Sequence, residues 1–154
     1  MQVTRIPTVM VADYSEDTRD VLKCWLEMKG CRVVEATDGR QAVELTKGDC
    51  PDLILMSMRM PLLGGLDAMR RIRERGKTFV FPIVAMSTYP TIEARASALA
   101  AGCASFIAQP IDFDVLSTVL SSLLPESVGE QSTELERTPI VDIFSIRRAH
   151  TVSA

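Results

Sequence analysis

Short apolar runs alternate along this chain with longer segments in which apolar residues recur every three or four positions. Residues 8–12 form the first run, which ends at Asp13. From Ser15 the period changes: Thr18, Val21, Leu22 and Trp25 fall at i, i+3, i+4 and i+7, the stripe of an amphipathic helix. Ser15 is placed to cap that helix, and Gly30 to end it in the left-handed conformation that glycine adopts cheaply. Residues 32–36 read as a second strand, followed by a helix over 40–47 that Gly48 closes. The run 53–56 is continuously apolar, as a strand buried on both faces requires.

The alternation then repeats. Over 66–75, Leu66, Met69 and Ile72 share one side, and arginines and glutamates crowd the other. Residues 82–86 form a fourth apolar strand. The alanine-rich segment 91–101 has high helix propensity, and Gly102 ends it. Residues 105–107 make a short fifth strand. The last helix, over 112–124, carries Val115, Leu116, Val119, Leu120, Leu123 and Leu124 at helical spacing behind Asp112 as cap. Five strand–helix units imply right-handed crossovers and a parallel sheet covered on both faces. The expected fold is α/β, a flavodoxin-like doubly wound (βα)5 sheet in strand order 2-1-3-4-5.

That domain is expected over residues 7–125. A polar, flexible C-terminal tail is expected over 126–154, with a candidate docking segment at 140–146 followed by Arg147 and Arg148. A chain of 154 residues, 47% hydrophobic and 24% charged, suits one globular core with a short appendage. The net charge of -3 argues against nonspecific nucleic-acid binding. The basic run Arg70, Arg71, Arg73, Arg75 and Lys77 is broken by Glu74 and reads as a solvated helix face. No segment approaches the ~18 apolar residues of a membrane span, and the N-terminus has no cleavage-site pattern. A cytoplasmic location, without membrane or nucleic-acid partners, is the expectation. Cys24, Cys31, Cys50 and Cys103 form no C-x-x-C pair and no cluster with His150, the only histidine. Reduced, mostly buried thiols are expected, with no metal site.

In a doubly wound sheet the site lies at the carboxyl ends of the strands, beside the switch point between the first and third. Those ends carry Ala12 and Asp13, Ser57, Ser87, and Gln109 before Pro110. With the strings PDLILMSMRMPLLGG and MPLLGGLDAMRRIR, and with Phe106 three residues before Gln109, these spacings resemble the receiver domains of bacterial response regulators over residues 8–124. The resemblance implies a CheY-like module of two-component (phosphorelay) signalling. In that family an acidic pair after the first strand and a phosphoacceptor aspartate hold Mg²⁺, and a lysine contacts the phosphoryl oxygens. Here Ala12 stands for the first acid and Asp13 for the second. Ser57 occupies the phosphoacceptor position and Gln109 that of the lysine. Ser87 keeps the hydroxyl of the switch position, and Phe106 matches the family's reporting aromatic. Gln109-Pro110 matches a bond that is cis in the family.

The departures agree with one another. Mg²⁺ usually needs carboxylates and near-octahedral oxygen ligands. Asp13 with the carbonyl of Arg59 is a poor remnant, so metal binding is expected to be weak or absent, and no cofactor is expected. With the cation gone, an unpaired buried lysine would cost several kcal/mol, which makes neutral Gln109 the consistent exchange. Ser57 has no adjacent histidine and no G-x-S-x-G elbow, so no catalytic residue and no enzymatic activity are expected. Asp52, at the far end of its strand, and Asp67, on a solvent-facing helix position, are not substitutes. Ser87 has two readings, a loop hydroxyl satisfying backbone groups and a residual switch.

The expected function is a stand-alone pseudo-receiver, a protein–protein interaction module that works without phosphorylation. Its expected partner is a histidine kinase or downstream effector meeting the 91–124 face, with a homodimer as a second assembly. Two other readings stay open: a phosphorelay receiver with altered chemistry at Ser57, and a small-ligand sensor using the vacated acidic pocket.

Overall fold

The computed structural model describes residues 5–48, 50–75 and 81–124. Five strands and five helices alternate: β1 (Thr8–Ala12), α1 (Glu16–Met28), β2 (Arg32–Ala36), α2 (Gly39–Leu45), β3 (Leu53–Ser57), α3 (Gly65–Arg75), β4 (Ile83–Ser87), α4 (Ile92–Ala100), β5 (Ser105–Ala108) and α5 (Phe113–Leu123). The strands pair in parallel in the order β2-β1-β3-β4-β5. This is the doubly wound (βα)5 sheet that the alternation predicts.

Side-chain alternation divides each strand between two cores. Met10, Ile54, Met56, Ile83 and Phe106 meet Ala42 of α2, Met69 and Ile72 of α3, and Ala98 of α4. Val9, Val11, Leu53, Leu55 and Ile107 meet Leu22 and Leu26 of α1 and the Val115–Leu120 stripe of α5. Every residue of β3 and β4 is buried, which explains their unbroken apolar runs.

Side-chain caps start the helices. The Ser15 hydroxyl accepts the Thr18 N–H, Asp38 that of Gln41, and Thr91 that of Ala94. Asp112 accepts from both Asp114 and Val115. Gly30 and Gly102 take φ of 91° and 105° at the ends of α1 and α4, as expected. Gly65 is needed for space: a Cβ there would lie 2.2 Å from the Ser57 carbonyl oxygen. Its absence lets α3 start against the end of β3.

Four expectations are corrected. Val21 is 56% exposed, because α1 turns the neighbouring Leu22 and Leu26 to the sheet. α2 ends at Leu45 with Thr46 as its cap, the Thr46 hydroxyl donating to the Val43 carbonyl at 2.6 Å, and Gly48 is not left-handed. Arg73 is no part of a solvated face: it donates to the Gly102 carbonyl at 3.2 and 2.8 Å and to the Phe81 carbonyl at 2.7 Å. It thereby ties α3 to the entry of β4 and the exit of α4. Of the four thiols, Cys31 and Cys103 are buried but Cys24 and Cys50 are exposed. The expected tail with its 140–146 segment, His150 and Lys77 lie outside the described residues. No helix among the described residues is long and apolar enough to cross a membrane.

Candidate functional site

The carboxyl ends of β1, β3, β4 and β5 converge on a cleft of about 180 Å³. Asp13, Ser57, Ser87 and Gln109 line it, with Tyr14 and Thr18 at one wall and Arg59 and Thr88 at the other. Strand pairing sets this convergence: Ser57 lies opposite Met86 and Ser87 opposite Ala108, and the Gln109 N–H donates to the Ser87 carbonyl at 2.7 Å. The peptide bond from Gln109 to Pro110 is cis.

Asp13 follows β1 and is 2% exposed. One carboxylate oxygen accepts the Ser15 N–H at 2.8 Å. Arg19 donates to the Asp13 backbone carbonyl at 2.9 Å, while its Nε goes to Glu35 at 3.1 Å. The guanidinium thus bridges the Asp13 backbone and the Glu35 carboxylate. Burial pushes the Asp13 carboxyl above the ordinary carboxylate range, against the opposing pull of the Ser15 N–H, the Gln109 and Ser57 side chains and the Arg19 charge.

The two strand-end serines repeat one pattern. The Ser57 hydroxyl donates to the Arg59 carbonyl at 3.2 Å. That of Ser87 donates to the Tyr89 carbonyl at 3.2 Å and accepts the Tyr89 N–H at 3.0 Å. Ser87 thus satisfies backbone groups of its loop. The Arg59 guanidinium lies 5.1 Å from the Tyr89 ring centroid, a cation–π contact that joins the two loops at the mouth of the cleft.

Other sequence candidates lie elsewhere. Ala12 is fully buried in the core against Ala36 and Met56 and does not line the cleft. Phe106 packs in the same core. Asp52 sits at the opposite end of the sheet, accepting the Thr8 N–H at 2.7 Å and pairing with Arg5. Asp67 is exposed and pairs with Arg70 on its own helix. The Arg59 and Tyr89 side chains and Arg19 are not singled out by the sequence, which points only to the Arg59 carbonyl. The offset of Arg59 and Tyr89 by two residues from Ser57 and Ser87 was a usable signal for the first two.

These donors do not fit a resident Mg²⁺. Asp13 offers the cleft's one carboxylate, with one oxygen already bonded to Ser15. The Arg59 carbonyl is already an acceptor for Ser57. Mg²⁺ keeps near-ideal octahedral geometry and takes its protein ligands chiefly as free carboxylate oxygens. Among the described residues no group of three or more His, Cys, Asp or Glu comes together.

Residues 9–121 match the family model of the response regulator receiver domain. The uncharacterized 14.6 kDa protein in the sodA1 3′ region of Leptolyngbya boryana is 31% identical over 112 residues, which cover 73% of this chain and 86% of that one. The regulatory protein AtoC of Escherichia coli is 27% identical over 122 residues, 79% of this chain but only 26% of its own length. Among solved structures, the receiver domain of the sensor histidine kinase PA1611 of Pseudomonas aeruginosa has a magnesium ion coordinated in its active-site cleft. It aligns at a TM-score of 0.72 and 27% identity, over 82% of this chain and 100% of that one. The family match starts inside β1 and ends inside α5, so it takes in the whole sheet and the site at its carboxyl edge, and the chain belongs to the response regulator receiver domain family.

Proposed function

We propose that this receiver serves two-component signalling as a pseudo-receiver, a protein–protein interaction module that works without phosphorylation. One observation carries the reading: Ser57 is the residue at the end of β3, and its hydroxyl proton goes to the Arg59 carbonyl. An acyl phosphate forms on a carboxylate oxygen, which this position lacks. A serine hydroxyl becomes a nucleophile only beside a base; the side chains lining the cleft include no imidazole, and Asp13 is the one carboxylate among them.

The partner in this reading is a signalling protein, a histidine kinase or a downstream effector, that meets the face of α4, β5 and α5. Exposed Ile92 and Leu99 of α4 support an apolar contact there. A non-enzymatic, cytoplasmic role and the absence of a cofactor belong to the same proposal. The cleft falls below the roughly 300–1,000 Å³ of small-molecule sites, which ranks the small-ligand reading lower.

Incubation with acetyl phosphate and Mg²⁺, followed by intact-mass measurement, tests the proposal. The expected result is no adduct. A phosphate adduct released by hydroxylamine, the mark of an acyl phosphate, overturns it.

A further inference from the structure

Helix α1 carries two apolar stripes where a surface helix needs one. Leu22 and Leu26 face the sheet. The second stripe is Thr18, Val21, Trp25 and Met28, spaced three, four and three residues apart as in a helix–helix seam, and Tyr14 lies exposed just before the helix starts. Val21 is more than half exposed, Met28 is 79% exposed and Tyr14 62%. Trp25 marks its inner edge, with its ring 5.2 Å from that of Phe113, so the seam borders α5.

The exposed charge around this seam is mainly acidic. Glu16, Asp17, Asp20 and Glu27 are all exposed on α1, and none forms a salt bridge with another described residue. Two cations oppose them, Lys23, drawn towards Glu35 at 3.7 Å, and Lys29, held over the Trp25 ring. An apolar seam with an acidic surround suits an apolar segment carrying positive charge. A second copy of α1 would instead bring like charges together.

We propose that residues 140–148 of this same chain occupy the α1 seam. Ile140, Ile143 and Phe144 stand at i, i+3 and i+4, and Arg147 and Arg148 follow. The described chain ends at Leu124, just after α5, the helix that borders the seam. Residues 125–139 separate Leu124 from Ile140. A coil of that length spans about 20 Å, and α1, at 13 residues, is about 20 Å long. A tether of this span supplies an effective concentration on the order of mM, enough to populate a contact too weak for a free peptide. The exposed apolar residues of α4 make a poorer site for two arginines, since Glu93 is the one carboxylate on that helix.

The chain contains its own probes. Cys24 is exposed on α1 between Val21 and Met28, Cys50 is exposed before β3, and Trp25 is the only tryptophan. The full chain and the full-length variants Ile143→Asp/Phe144→Asp and Arg147→Glu/Arg148→Glu are alkylated with N-ethylmaleimide, and each cysteine is followed by peptide mass. Both variants are expected to raise the Cys24 rate about three-fold or more, with Cys50 unchanged and buried Cys31 and Cys103 still protected. Trp25 emission should shift to the red in both. Equal Cys24 rates in all three proteins, with unchanged emission, overturn the proposal. Cys24 protection that grows with protein concentration overturns it in favour of a second copy as the occupant.

Discussion

The Ser57 hydroxyl donates to the Arg59 carbonyl across 3.2 Å. Ser57, the last residue of β3, is thereby engaged in closing its own loop. Ser87 and Tyr89 do the same one strand over, and Arg59 stacks on Tyr89 to join the two closures. The cleft keeps its shape through neutral hydrogen bonds around one buried carboxylate. Its responses to cation, pH and substitution follow from that arrangement.

Mg²⁺ titration should show no saturable heat by calorimetry at low millimolar concentration. One carboxylate with a bonded oxygen and one occupied carbonyl leave the ion almost entirely water-coordinated. A saturable, tight isotherm would mean that the cleft rearranges to supply oxygens now engaged elsewhere.

Asp13→Asn should stabilise the protein at neutral pH. The carboxyl is buried, and its folded pKa lies above its ordinary value of 3.8, chiefly through desolvation. Folding then favours the protonated form, so the ionised group costs stability above the raised value, and the cost disappears as pH falls to 3.8. Asparagine keeps an acceptor for the Ser15 N–H and removes the charge. The expected gain is on the order of 1 kcal/mol at pH 7, shrinking as pH is lowered through that window. Urea unfolding across pH reads it, and a loss of stability at pH 7 would show that the Asp13 charge has a stabilising partner.

Arg73→Ala should destabilise the fold by about 2 kcal/mol, since hydrogen bonds to charged groups are worth ~1.5–3 kcal/mol. It strips the donor from the Gly102 and Phe81 carbonyls together. Lysine cannot reproduce the planar fork, so Arg73→Lys should recover less than half the loss. Arg70→Ala and Arg71→Ala, both exposed on the same helix, serve as comparisons. Equal effects from Arg70→Ala and Arg73→Ala in urea unfolding would contradict the tie between α3, β4 and α4.

The strands and their order were legible because burial on both faces leaves an unbroken apolar run, and β3 and β4 are buried throughout. The meeting of Asp13, Ser57, Ser87 and Gln109 follows from that order, since parallel strands bring their carboxyl ends to one edge. Periodicity did not reveal which of two adjacent stripes on α1 faces the sheet, because Val21 and Leu22 are both apolar and only packing separates them. Nor did it separate Arg73 from Arg70: the partner carbonyl on Gly102 comes from a loop that only the fold brings near. The placement of Ala12 in the core was available from strand alternation, as it shares the parity of Met10.

Restoring the family's polar set should restore its chemistry only when done as a set. Ser57→Asp alone adds a carboxylate beside Asp13, but Gln109 still offers no cation for phosphoryl oxygens and Ala12 no acid. It should remain unphosphorylated by acetyl phosphate. The triple variant Ala12→Asp, Ser57→Asp, Gln109→Lys adds two acids and a lysine at the strand ends, and on the proposed reading it should take up phosphate in a Mg²⁺-dependent way, provided the enclosed position 12 opens to the cleft. Without metal it should be less stable than the parent by about 2–4 kcal/mol, since carboxylates crowd one buried edge and position 12 is fully enclosed. Mg²⁺ should recover much of that loss, because an ion that binds only the folded state stabilises it by mass action. Thermal unfolding with and without Mg²⁺ reads the stability arm, and hydroxylamine-sensitive mass reads the chemistry. A folded triple variant that neither gains stability from Mg²⁺ nor accepts phosphate would show that more than these three side chains separates this cleft from a working receiver.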